Sequence, residues 1–566
     1  MSNLLPPTDD VETLLRPTDG VEALPSDCWR LVFENLSQDD LEAVSLTCKD
    51  FLTNSNLVKK SLNVIHPKVT MLSQHLKRFP QLKILNLSGF RGDLDEAMSE
   101  IACSGISLEG LELYKRYISI SGVIDLGSNP KMKNLKTLIV TDITCLDDED
   151  VVEIANLFPN LEELQIIGFE LHGVWVNYPK RPFAGDSGIE YLASKLKLLR
   201  KIHFTDQYII SDRSIIALSV NCVFLKDVTI SNHRVTEHGI GLLLQNRPNL
   251  EDLSLSHIRS STSNITIENS ISHAKALTSL ICFRTEIPDT FLMEIAKAKL
   301  RLKVLQLNNC CSFTASGLLM VSSYLNELEI DRHFGILDAE MEILAKGDLG
   351  NLTHIQLKGC KMTSSTFLLL LTNCPWLVEI KMIESKVRGE VDDILLCKNH
   401  SIRNIDLNCR CKFSEALVKQ FTLLFPNLND LVLGWCHTFE GIHVAELILT
   451  GDEINSLEVL RVSNSSGIDG EAIAKSCPKL RSLEISDCKK VTIEGIKHIV
   501  ETIKTLTCLN IDNFGSEYYG ELLDWIISAG FVDSLKTIFV PSKECFNEEQ
   551  RDEFLRRGCF LLTEWY

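Results

Sequence analysis

The stretch Cys477–Cys488, C-P-K-L-R-S-L-E-I-S-D-C, constrains this chain most, because it recurs in varied form along most of its length. Leu480, Leu483 and Ile485 give the spacing L-x-x-L-x-L. In a short strand, that spacing sends the apolar residues into a core and the residues between them away from it. An irregular turn follows, and Ile493, Ile496, Ile499, Val500 and Ile503 then share one face at helical spacing, which predicts a helix around 493–503. One such cassette cannot bury its own apolar face, so its repetition predicts a stack of strand-plus-helix units.

Eighteen strand anchors can be placed between Leu82 and Leu535, at a mean period of about 27 residues. This cassette and period are those of a leucine-rich repeat. The predicted fold class is α/β: a curved solenoid over 63–545 with a parallel inner sheet and outer helices. One interval, Leu161 to Leu199, is about a dozen residues too long, which predicts an insertion loop near 169–186. Phe169, His172, Trp175, Tyr178, Lys180, Arg181 and Phe183 give that loop aromatic anchors and cations, the composition either of a recognition loop or of a loop that buries its own aromatics. Residues 1–21 hold an acidic, proline-bearing duplication and read as a disordered tail. Residues 546–566 read as a C-terminal cap, with Asn547 starting a helix and Gly558 stopping it.

Composition excludes several function classes. The net charge of -19 argues against binding a nucleic-acid backbone, which needs a basic face. No apolar run is long enough to span a bilayer, and the N-terminus carries no secretory signal, so the expected location is the cytoplasm or nucleus. The nineteen cysteines are therefore expected as thiols. Cys310, Cys360, Cys436 and Cys488 follow strands at one repeat position, where small buried side chains fit. The sequence contains no phosphate-binding loop, no H-E-x-x-H and no G-x-S-x-G, so no catalytic residue is predicted and the chain is not expected to be an enzyme. No cofactor is expected either. Cys397, His400, Cys409 and Cys411 have a spacing that matches no common zinc pattern.

Between residues 22 and 62 the pattern changes to compact helices, with Cys28, Trp29, Val32, Phe33 and Leu36 on one apolar face and Leu41, Val44, Cys48 and Phe51 on another. The run L-P-S-D-C-W-R-L-V-F-E-N-L-S-Q-D-D-L-E-A-V-S-L-T-C-K-D-F resembles an F-box, with Phe51 where that family more often has tryptophan. The C-P-x-L element before strands, the cysteine after them and turns such as V-T-E-H-G-I are similar to the cysteine-containing repeat subclass found in F-box proteins, plant ones among them. The resemblance implies a substrate-recognition subunit of an SCF-type cullin-RING ubiquitin ligase. Its F-box would dock on a Skp-type adaptor, and its repeats would hold a protein for ubiquitination and degradation. The adaptor face is expected among Leu24, Pro25, Trp29, Val32, Phe33, Leu36, Leu41 and Val44, some of which must instead be contacts between helices. Two alternatives stay open: a ligase-independent scaffold whose helical segment is only a cap, and a small-molecule coreceptor that uses the insertion loop.

Alternation along the strands identifies the concave surface as the informative one. Its outward side chains include Glu327, Glu329, Asp331, Glu379, Asp406, Asp430 and Glu484, with fewer cations, Lys201, Lys358, Lys381 and Arg461 among them. These acids, with Arg461, Trp175 and Tyr178, are the candidate substrate-binding residues. They favour a partner with a basic segment. Ordinary solvated surface charge is the competing account.

Overall fold

The computed structural model describes residues 25–563 apart from 65–68, 91, 115–119, 144–145, 169–183, 206–209, 232–233, 261–262, 332–337, 390–397, 410–411, 414–417, 419–420, 439–441, 450–453, 455, 466, 489 and 513–515. Leu24, Trp175, Tyr178 and the 1–21 segment thus lie outside the described residues, as do Cys397 and Cys411. The chain forms two compact units, Met1–Asp206 and Gln207–Tyr566.

The first unit opens with three helices: α1, Ser26–Phe33; α2, Gln38–Ser45; and α3, Lys49–Val58. Ser37 caps α2 by accepting from the Asp40 amide at 3.1 Å. Parallel strands follow at Ser61–Asn63, Ile84–Leu87, Gly110–Tyr114, Thr137–Ile143, Glu163–Gly168 and Lys201–Thr205, each paired with the next. The second unit repeats the scheme from Asp227–Ser231 to Phe560–Leu562. In both units strands pair with strands of neighbouring repeats and helices pack on helices, giving a sheet layer and a helical layer. This is the leucine-rich-repeat architecture. All eighteen predicted anchors, Leu82 to Leu535, are buried.

Two repeat positions explain how cassettes are joined. Asp212 begins one helix, and its carboxylate accepts from the Thr236 amide (2.8 Å) and hydroxyl (2.7 Å) in the following repeat. Asp289 does the same for Thr314, at 2.8 and 2.7 Å. Gly239 and Gly317 sit against those aspartates, so closely that an added Cβ would fall 2.5 and 2.0 Å from the carboxylate oxygens. The V-T-E-H-G-I turn is therefore a clasp between repeats. The cysteine position is a second link. Cys310 Sγ donates to the Cys282 carbonyl at 3.3 Å and Cys436 Sγ to the Leu407 carbonyl at 3.0 Å, one repeat back in each case. Ser385, at the same place in its repeat, donates to Leu357 at 2.9 Å. The sixteen described cysteines are free thiols, most of them buried.

The C-terminal segment contains the expected helix and adds a strand to it. Asn547 and Gln550 form a capping box, and the helix Glu548–Arg556 ends before Gly558, whose φ of 81° favours glycine. The chain then adds a strand, Phe560–Leu562, paired with Thr537–Phe539. Residues 546–562 are thus one more turn of the repeat. The long interval also resolves: helix Asp186–Lys195 is in place with Gly185 and Gly188 donating to Asp148 at 2.6 and 3.1 Å, so the extra residues fall between strand Glu163–Gly168 and position 184.

Candidate functional site

The concave strands of the second unit alternate half-buried and buried residues, which places Glu327, Glu329, Glu379, Asp406, Asp430, Arg461 and Glu484 on the open face as predicted. Asp331 differs. It is 8% exposed, and its carboxylate pairs with Lys358 of the next strand at 3.3 Å. Asp331 is thus a buried, ion-paired acid at the end of its strand and not an open one.

Most of the other charges on this face are also paired. Lys381 reaches Glu379 on its own strand at 3.1 Å, and Arg461 bridges Asp430 (3.4 Å) and Glu484 (3.5 Å) on the two flanking strands. Glu327, Glu329 and Asp406 have no ion pair among the described residues. They receive neutral donors: Gln306 to Glu327 at 2.6 Å, Gln356 to Glu329 at 2.7 Å and the Asn408 amide to Asp406 at 2.9 Å. Burial pushes the Glu329 carboxyl above its ordinary value, and the neighbouring Glu327 charge adds to the shift. Burial likewise raises Asp406, and raises Asp430 despite Arg461. This strip can lower its own electrostatic cost by accepting cations.

A second candidate surface lies on the N-terminal helices. Phe33, Leu41 and Val58 form their buried core, with Trp29, Leu36, Val44 and Phe51 packed against it. Trp29, Phe33 and Phe51 form an aromatic trio with centroids 4.7 to 5.9 Å apart. Phe33 (3% exposed) and Leu41 (6%) are therefore internal, which corrects their placement on an adaptor face: the trio needs the first and α2 the second to hold three short helices together. Pro25 and Val32 are exposed and available. Sequence alternation missed Leu31 and Leu46, which are 64% and 87% exposed. Leu46 stood in the V-S-L-T-C-K run, but helical periodicity alone does not separate an internal leucine from an outward one.

Among the described residues no group of His, Cys, Asp and Glu is placed to hold a metal, and no helix is long and apolar enough to cross a membrane. Cys409 is buried, in keeping with the inward parity of Ile405 and Leu407.

No family model matches the chain. Among solved structures it is similar to that of the TLR13–ssRNA13 complex, at a TM-score of 0.45 and 14% identity over 82% of this chain. The chain spans 61% of that protein's length. It is also similar to the yeast Rad7–Elc1 complex structure, at a TM-score of 0.41 and 15% identity over 84% of this chain and 95% of that one.

Proposed function

We propose that this chain is a substrate receptor of an SCF-type cullin-RING ubiquitin ligase, and that α1–α3 are an F-box that docks on a Skp-type adaptor. The observation that carries the reading is the exposure of Leu46, Leu31 and Val32 on a helical unit whose own core is only a few side chains deep. Apolar groups left in water on so small a unit favour a partner that covers them. The resemblance of residues 24–51 to an F-box supplies that partner's identity. The concave strip at Glu327, Glu329 and Asp406 then holds a basic segment of the protein to be modified. The receptor's contribution is proximity: it carries out no bond chemistry and brings target lysines near a charged enzyme bound elsewhere.

Leu46→Asp in the intact chain tests the adaptor reading. Co-purification with a Skp-type adaptor should be lost while the far-ultraviolet circular dichroism and melting temperature stay unchanged. Adaptor capture by this variant, or by a chain lacking residues 1–62, would overturn the ligase assignment in favour of a scaffold with a helical cap.

A further inference from the structure

Beside the main ladder, the second unit carries short parallel pairs that the concave face does not include. Lys361–Thr363 pairs with Lys386–Arg388 in the register Lys361 to Lys386, and Lys412–Phe413 pairs with His437–Thr438 in the register Lys412 to His437. The Lys386–Arg388 strand also abuts Lys412–Phe413. Met362, Val387 and Phe413 are buried, so Lys361, Lys386, Arg388 and Lys412 point outward, and all four are exposed. Register aligns Lys361 with Lys386 and Lys412 with His437, and the shared alternation of buried and exposed positions puts the three lysines on the outward side of adjoining strands.

These cations differ from those of the concave ladder. Lys358, Lys381 and Arg461 each have a carboxylate partner. Among the described residues, no carboxylate lies within ion-pair distance of Lys361, Lys386, Arg388 or Lys412. Glu384 is exposed at the left-handed turn before Lys386, and Glu390, Asp392, Asp393 and Glu415, near the row in sequence, lie outside the described residues. Like charges on adjacent rungs repel, and among the described residues no counter-charge is paired with them, in a chain whose net charge is -19. Trp435, 50% exposed, stands two residues before His437 at the end of the row, and His437 meets the buried His443 edge-on at 5.1 Å.

We propose that the row Lys361, Lys386 and Lys412, with Arg388 and His437 beside it, docks a short acidic segment of a partner protein, with an apolar residue of that segment against Trp435. Paired strands lie about 4.8 Å apart and same-side residues of an extended peptide recur every ~6.7 Å, so a handful of residues covers the row. A nucleic-acid strand fits less well. The patch offers one exposed aromatic and not a stacking series, and a longer polyanion would run onto an acidic molecule. The row shares no residue with the concave strip or with the N-terminal helices, so the proposal does not depend on the ligase reading.

The test is fluorescence anisotropy on the full chain, with a labelled peptide of about ten residues alternating Glu and Gly and ending in Phe, against an oligolysine peptide and a single-stranded oligothymidine of similar length. The acidic peptide should bind, more weakly as salt rises. The triple variant Lys361→Gln, Lys386→Gln, Lys412→Gln should weaken it about tenfold or more, whereas Glu327→Gln with Glu329→Gln should leave it unchanged. An unaltered melting curve establishes that the triple variant is folded, and Lys386→Arg alone should retain binding. The proposal is overturned if the intact chain does not bind the acidic peptide, if the oligonucleotide binds more tightly than the acidic peptide, or if the folded triple variant binds as the parent does; oligolysine reports on the concave strip and should be unaffected by the triple variant.

Discussion

Asp212 accepts from both the amide and the hydroxyl of Thr236 one repeat further on, and Gly239 leaves room for it. Gly239→Ala places a Cβ 2.5 Å from that carboxylate, so the aspartate must abandon its partners. A loss of about 1–2 kcal/mol is expected, comparable to removing a helix cap. Asp212→Ala should cost a similar amount, and the double variant less than the two together, because both break one contact; urea midpoints measure it. His443 shows a different residue-scale dependence. Its Nε2 faces the carbonyls of Gly434 (2.7 Å) and Ser463 (3.1 Å), its Nδ1 accepts from the Ala445 amide, and burial holds the imidazole below its ordinary 6.5. The unfolded chain takes up a proton as pH falls below about 6.5 and the folded chain does so only lower, so this stability is full above that value and lost as pH falls toward the folded one. His443→Gln should therefore reduce the fall in melting temperature between about pH 7.5 and about pH 5.5.

At the scale of an element, α1–α3 separate two kinds of leucine and aromatic residue that look alike in sequence. Phe33→Ala removes the centre of the aromatic trio and should destabilise the helical unit by about 3–5 kcal/mol, seen as lost protection of its amides to hydrogen exchange. Leu31→Asp, on the open side, should leave that protection intact and weaken adaptor capture. If Phe33→Ala left exchange unchanged, the core assignment would fail. The existence of helices here was legible in the 22–62 pattern. Which face is inside was not, because three short helices decide it jointly by how they pack.

At the scale of the molecule, the proposed binding of a basic segment to the concave strip should be linked to protonation. A cation brought to Glu329 and Asp406 displaces protons from carboxyls whose affinity for them burial has raised, so binding of a basic segment should weaken as pH falls through those raised values and strengthen above them. For folding alone the sign is opposite: stability is gained as pH falls through the same groups, since the folded chain holds those protons more tightly. Titration calorimetry in buffers of different ionisation enthalpy should show proton release with an oligolysine peptide. Glu327→Lys with Glu329→Lys should abolish that binding and its salt dependence.

The sequence by itself determined the repeat, its period, the inward residues from Leu82 to Leu535 and the thiol position, because alternation and helical spacing are local and every cassette states them again. Only the tertiary structure decided which outward charges remain available. Asp331, Glu379 and Glu484 look equivalent to Glu329 along the chain, yet Lys358, Lys381 and Arg461 reach the first three across or along the sheet. Lys361, Lys386 and Lys412 are far apart in sequence and come together only because their short strands pair or abut in successive repeats. An ion pair depends on distances of a few ångströms between rungs, and a repeat of uneven length does not encode those distances in its spacing.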